Sequence, residues 1–74
     1  MKKVRIIATS SKDAYPTICG LHNFETLDEA INFAYYGAKG LGSNVSEVVV
    51  TFEFDKRFYP DTDIIIEIYD TYRE

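Results

Sequence analysis

Two segments in the C-terminal half of the chain alternate between an apolar side and a second side. In residues 47–54, every second residue is large and apolar: Val48, Val50, Phe52 and Phe54. In residues 64–72, the matching set is Ile64, Ile66 and Ile68. Because successive side chains of a β-strand point to opposite faces, this spacing predicts two strands, Glu47–Phe54 and Ile64–Tyr72. The polar and aromatic connection Asp55–Thr62 joins them as a long hairpin.

One segment upstream of these strands has the periodicity of a helix. Its apolar residues are spaced by one or three positions: Leu27, Ala30, Ile31, Ala34, Tyr35, Ala38 and Leu41. Thr26 and Glu29 have the spacing of a capping box, and Gly40 suits the left-handed position that ends a helix. The pattern predicts a helix over Leu27–Lys39, and its three alanines allow a close approach to the sheet.

The N-terminal part of the chain predicts two further strands. Val4–Thr9 is short and rich in β-branched residues, which is typical of a strand. A second strand is predicted over about Tyr15–Cys19, at a sheet edge because Pro16 has no N–H to donate. The residues that follow, Gly20–Asn23, are predicted to be irregular.

The whole chain, residues 1–74, is therefore predicted to be a single α+β domain of order β-β-α-β-β, with one helix on one face of a four-stranded sheet. This order resembles the β-grasp layout of ubiquitin and of the small immunoglobulin-binding domains of bacterial surface proteins. The resemblance implies a mixed sheet of strand order 2-1-4-3, with the first and last strands central and parallel. A plain antiparallel sheet with another strand order is the main alternative.

The charge and cysteine content limit the partners and the compartment that we expect. A net charge of −4 argues against direct binding to nucleic acid or to an anionic membrane, although it permits a basic partner. The single cysteine, Cys19, favours a reducing compartment, and no apolar stretch approaches the length of a membrane span. We therefore expect a cytoplasmic protein.

The sheet face opposite the helix is the first candidate for a binding surface. The predicted face carries an apolar strip of Ile7, Val49, Ile65 and Tyr69 with acidic neighbours. Pairing registers that keep both core sets together place Val49 near Tyr69 and Glu53 near Ile65, and bring Arg5 toward Glu67. An ordinary solvent-exposed sheet face is the alternative, because β-branched residues also stabilise strands without binding anything.

No motif in the sequence indicates catalysis or a metal site. Cys19 and His22 are three residues apart, but no third group or oxyanion hole accompanies them. Structural zinc needs four ligands, which one cysteine and one histidine cannot supply. Gly37, Gly40 and Gly42 follow a helix, whereas glycine-rich phosphate loops precede one. We expect no catalytic residue, no cofactor and no metal.

The sequence thus favours a small non-enzymatic interaction module that binds a protein, or a second copy of itself, through the outer sheet face or an edge strand. The basic and aromatic run Lys56–Tyr59 adds a possible recognition tip. The candidate partner-binding residues are Ile7, Val49, Glu53, Phe58, Tyr59, Ile65, Glu67 and Tyr69. Two alternatives stay open. One is a phage or mobile-element accessory protein that inhibits a host nucleic-acid enzyme through its acidic surface, and the other is a small-molecule binder at a dimer interface.

Overall fold

The computed structural model of the protein describes residues 1–10, 19–40 and 44–70. These residues form strand β1 (Lys2–Ser10), strand β2 (Cys19–Phe24), helix α1 (Leu27–Gly40), strand β3 (Val45–Thr51) and strand β4 (Ile64–Asp70). The predicted order β-β-α-β-β is confirmed.

The four strands form one mixed sheet in the order β2-β1-β4-β3. β1 and β4 are central and parallel, with Val4 opposite Ile64 at one end and Ser10 opposite Asp70 at the other. β2 pairs with β1, and β3 pairs with β4, both antiparallel. The strand order implied by the β-grasp resemblance is therefore confirmed. Central parallel strands are usually buried on both faces and are therefore rich in Val and Ile, as β1 and β4 are.

The core lies between the sheet and α1. Its fully or almost fully buried members are aliphatic: Val4, Ile6, Ala30, Ala34, Ala38, Ile64, Ile66 and Ile68. The helix contributes only alanines to this set, so its backbone approaches the sheet closely while the isoleucines fill the space between them. Leu27, Ile31, Val48 and Val50 are partly buried around this centre.

The start of α1 follows the predicted capping pattern in part. Thr26 Oγ1 accepts a hydrogen bond from the Glu29 N–H at 3.2 Å. The Glu29 carboxylate accepts from the N–H of Glu25 at 3.3 Å, one residue before the position expected for a capping box. The helix ends at Gly40, one residue later than predicted. Leu41 lies outside the described residues.

The segment after the predicted second strand is not irregular. β2 spans Cys19–Phe24, so Gly20–Asn23 is strand rather than irregular, while residues 15–18 lie outside the described part. Packing explains the difference. His22 and Phe24 point to the helix side, where their rings lie 5.0 and 5.4 Å from that of Phe33. These aromatic contacts outweigh the low strand preference of glycine and asparagine.

β3 ends earlier than predicted, and its last two predicted core residues lie elsewhere. The pairing with β4 stops at Thr51 opposite Ile65. Phe52 is 58% exposed, and Phe54 packs edge-on against Tyr59 with the ring centres 5.8 Å apart. The alternation therefore continues in the sequence for a few residues beyond the paired strand. β4 is described as far as Asp70, and residues 71–72 of the predicted strand lie outside the described part.

The close approach of α1 to the sheet predicts a cost for enlarging its buried face. Ala34→Leu adds volume at a fully buried position and should lower the free energy of unfolding by about 1–3 kcal/mol through overpacking. Asn32→Leu adds the same side chain at an exposed position of the same helix and should change it by less than about 0.5 kcal/mol. Urea unfolding monitored by circular dichroism measures both. Equal effects would mean that the alanines are not a spacing requirement.

Candidate interaction surface

The face of the sheet opposite α1 has a pairing register two residues away from the predicted one. Across β3 and β4, Glu47 lies opposite Tyr69, Val49 opposite Glu67 and Thr51 opposite Ile65. The predicted pairs Val49–Tyr69 and Glu53–Ile65 are therefore wrong. A slip of two residues keeps every side chain on its own face, so alternation alone cannot distinguish the two registers.

On β1 the same offset appears. Arg5 lies beside Ile65 and Ile7 lies beside Glu67, so the predicted approach of Arg5 to Glu67 is also wrong. Arg5 instead bonds to the segment before β4, where its Nε donates to Thr62 Oγ1 at 3.4 Å. Its guanidinium carbon lies 5.6 Å from the centre of the Tyr59 ring, a cation–π distance.

The connection between β3 and β4, residues 52–63, folds back onto the sheet at this end. The Asp63 N–H donates to the Lys3 carbonyl at 2.8 Å, and the Lys3 N–H donates to the Asp63 carboxylate at 2.9 Å. Tyr59 lies between Arg5 and Phe54, and Thr62 is 1% exposed. These contacts fix the connection against β1, although the two segments are distant in the sequence.

The connection is also held together internally. The Asp55 carboxylate accepts from the Arg57 backbone N–H at 2.9 Å and from Arg57 Nη2 at 2.8 Å, and the Asp55 carbonyl accepts from the Phe58 N–H at 3.1 Å. These bonds from Arg57 lower the pKa of Asp55, and the carboxylate raises the pKa of Arg57. Lys56 Nζ donates to the Thr62 carbonyl and lies 5.0 Å above the Phe54 ring.

One predicted binding residue is buried by this arrangement. Ile65 faces away from α1, yet it is only 5% exposed and does not belong to the core under the helix. We attribute its burial to the connection, which closes the end of the outer face where Arg5 and Tyr59 meet. Ile65 is therefore not available on the surface, and Tyr59 is half-buried. We call this part of the outer face the closed end.

The other part of the outer face, the open end, consists of Ile7, Glu47, Val49, Glu67 and Tyr69. Ile7 of β1 and Val49 of β3 lie on either side of Glu67 of β4, so these three residues form one row across three strands. In the neighbouring row, Glu47 of β3 lies opposite Tyr69 of β4. Four of the five are partly exposed and Glu47 is exposed. Partial burial raises the pKa of Tyr69, and the charge of Glu67, its hydrogen bond to the hydroxyl, and the charge of Glu47 raise it further.

The remaining predicted binding residues lie outside the open end. Glu53 and Phe58 belong to the connection, where both are exposed, and Phe58 reaches 74%. The structure also adds a residue that the sequence missed. Leu21 is paired with Arg5 on the outer face of β2 and is 40% exposed. The alternation of Leu21 and Asn23 with His22 and Phe24 could have predicted a strand here with Leu21 on its outer face.

The described part of the chain contains no group of three or more His, Cys, Asp or Glu residues that could hold a metal ion. Among the described helical residues, no helix is long and apolar enough to cross a membrane. The imidazole of His22 is stacked against Phe33, and Gly40 is the last residue of α1. Comparisons with protein-family models, with curated proteins and with solved structures found no match to this chain.

The bond between Asp63 and the Lys3 N–H predicts an acid-dependent loss of stability. That bond, with nearby lysines, lowers the pKa of Asp63 below its usual 3.8. A carboxyl with a lowered pKa stabilises the fold above its unfolded value and loses this contribution as the pH falls through its folded value. Asp63→Asn keeps a carbonyl acceptor without the charge. It should therefore flatten the decline in unfolding free energy below about pH 4.

The matched control for this prediction is Asp61→Asn, which removes an exposed carboxylate from the same connection. Urea unfolding at a series of acid pH values gives both curves. If Asp63→Asn and wild type decline in parallel, the Asp63–Lys3 contact does not couple protonation to folding.

The cluster at the open end predicts a measurable change at Tyr69. Glu67→Gln keeps a hydrogen-bond acceptor for the hydroxyl but removes the nearer negative charge, so the raised pKa of Tyr69 should move down toward its usual value of 10.0. Carbon-13 labelling of the tyrosine rings and an NMR titration assign the shift to this residue among the six tyrosines. An unchanged Tyr69 titration would show that Glu67 does not act on the hydroxyl.

Proposed function

We propose that the protein is a small, non-enzymatic, cytoplasmic interaction module that binds a protein partner through the open end of its outer sheet face. The observation that carries this proposal is the row Ile7–Glu67–Val49, which is partly exposed and lies across three adjacent strands. Ile7 and Val49 flank the charged Glu67 in this row, and apolar residues grouped with a charged one are more typical of a binding site than single scattered apolar residues are.

The two ends of the outer face differ in how they are covered, and this difference supports the open end as the binding site. The connection covers the outer face around Ile65, and its contacts with Arg5 and Lys3 fix it there. At the open end, Ile7 and Val49 are partly exposed. A partner with apolar groups opposite Ile7 and Val49 and a basic group opposite Glu67 would match this row, and a second basic group would match Glu47 in the next row.

Phe58 adds a second contact to the proposal. It is 74% exposed at a turn that is held by Asp55, Arg57 and Lys56. An aromatic side chain on an ordered turn loses little conformational freedom on binding, which favours its use as an anchor.

The alternative of an inhibitor that imitates nucleic-acid phosphates has less support. Of the acids that such a protein would present, Asp63 accepts a hydrogen bond from the Lys3 N–H. Asp55, in the same region, is paired with Arg57 at 2.8 Å. Acids committed to internal contacts are poorly placed to line a basic groove in another protein.

The test compares two lysine substitutions on opposite sides of the molecule. Val49→Lys places a cation at the β3 end of the row, beside Glu67, which compensates its charge, and should weaken partner binding by at least about tenfold without unfolding the domain. Tyr36→Lys changes a 66% exposed residue on α1 and should leave binding unchanged. Affinity capture read by mass spectrometry identifies the partner, and solution mass detects self-association.

The proposal fails if Val49→Lys and wild type capture the same proteins in the same amounts and have the same solution mass. It also fails if Tyr36→Lys is the variant that loses them, because binding would then use the helix side.

A further inference from the structure

We infer that the free edge of β3 binds an extended segment of the partner in which basic residues alternate with apolar ones. The segment would add a fifth strand to the sheet, next to the open end. This inference rests on the proposed function and specifies the partner's chemistry and its mode of binding.

The first support is the composition of the β3 edge. β3 is the outermost strand on its side of the sheet, and its sequence, VSEVVVT, contains no proline, lysine or arginine. Proteins usually protect an exposed edge with such residues or with a bulge. β3 has an irregularity only near its start, between Val45 and Glu47, where Ser46 Oγ donates to the Tyr69 carbonyl at 3.1 Å. The run Glu47–Thr51 is regularly paired with β4, and no other strand of the described residues pairs with its second edge.

The second support is the charge of this half of the sheet. β3 and β4 together contain three acids, Glu47, Glu67 and Asp70, and no base. Glu47 lies on the outer face of the edge strand itself, and Glu67 lies on the same face of the next strand. A lysine or arginine of an added strand, placed beside Glu47, would gain a cross-strand pair. The raised pKa of Tyr69 between these carboxylates agrees with a negative potential here.

The third support comes from the helix side of β3. Val48 and Val50 face the core but are only partly buried, because no strand lies beyond them. Phe33 marks the flank of α1 that faces β2, so Ile31 and Tyr35, which lie on the other flank, are on the β3 side. Apolar residues of an added strand would pack beside Val48 and Val50 under this flank. The added strand therefore needs one basic and one apolar side.

A second copy of the chain fits this edge less well. Antiparallel pairing of β3 with itself would add two more valine rows on the helix side, which is favourable. It would bring no cation to the outer side, because β3 contains Glu47 and no base. The acids of both copies would then lie on one continuous face without compensation.

The experiment uses the wild-type protein and short synthetic peptides. The probe is a fluorescent Lys-Val-Lys-Val-Lys-Val peptide, compared with Glu-Val-Glu-Val-Glu-Val and with Lys-Lys-Lys-Val-Val-Val. We expect binding of the first peptide by fluorescence anisotropy, at least about tenfold weaker binding of the other two, and loss of affinity on raising salt. Methylating the amide nitrogens on one edge of the first peptide, then on the other, should abolish binding in one case, because a strand pairs through one edge.

Two charge variants and one NMR measurement locate the site. Glu47→Lys should weaken binding of the basic peptide by about tenfold and strengthen binding of the acidic peptide. Glu25→Lys makes the same change beside the start of α1 and should alter neither affinity. Amide hydrogen exchange should slow in Val45–Thr51 on peptide binding and stay unchanged in β2. If Glu47→Lys does not fold, Glu47→Gln provides the same comparison with a smaller effect.

Several results would overturn this inference. They are equal binding of both methylated forms, no preference for the basic peptide, slowed exchange in β2 instead of β3, and a solution dimer whose β3 amides are already protected without peptide. These outcomes are separate from the proposed function. If Val49→Lys abolishes partner binding but the wild-type protein does not bind the peptides, the open end remains the proposed binding site. Only the inference of an added strand is then rejected.

Discussion

The parallel pairing of β1 with β4 is the constraint on which the other features of the structure depend. It makes these two strands central, which leaves β2 and β3 at the edges and places Ile6 and Ile66 side by side under α1. The contact with β1 begins one residue before β4, where the Asp63 N–H donates to the Lys3 carbonyl and the Lys3 N–H donates to the Asp63 carboxylate. The segment before β4 is thereby fixed beside β1, where it covers the outer face.

The two faces of the sheet are covered by different means. On the inner face, one helix approaches through Ala30, Ala34 and Ala38, so burial there depends on small residues and shape. On the outer face, the cover is a loop, and its contacts are a guanidinium over a tyrosine ring and a hydrogen bond to a threonine hydroxyl. A loop of twelve residues reaches only part of the face. The part of this face that the loop does not reach and the adjoining edge of β3 are the surfaces that we propose for a partner.

The features that depend on local periodicity were predicted from the sequence. The prediction failed for features that depend on contacts between residues distant in the chain. Alternation and helical spacing were sufficient for α1 and β4, whereas the strand order came from the resemblance to the β-grasp layout. β2 was missed over Gly20–Asn23 because His22 gains its stabilisation from Phe33, which periodicity does not show. Ile65 is buried although it faces away from the helix, which alternation does not show, and the hairpin register was ambiguous because a two-residue slip keeps every residue on its face.

The joining of the first and last strands also has a kinetic consequence. Lys3 and Asp63 are bonded although sixty positions separate them, so the loop that closes between them is almost as long as the chain. The entropy of that closure is lost before the central pair is formed, which slows folding relative to chains with mostly local contacts. During synthesis, β1 and β2 have no partner on the β4 side until the final strand leaves the ribosome. Until then β1 is itself an edge, and an unpaired strand edge can pair with a wrong strand.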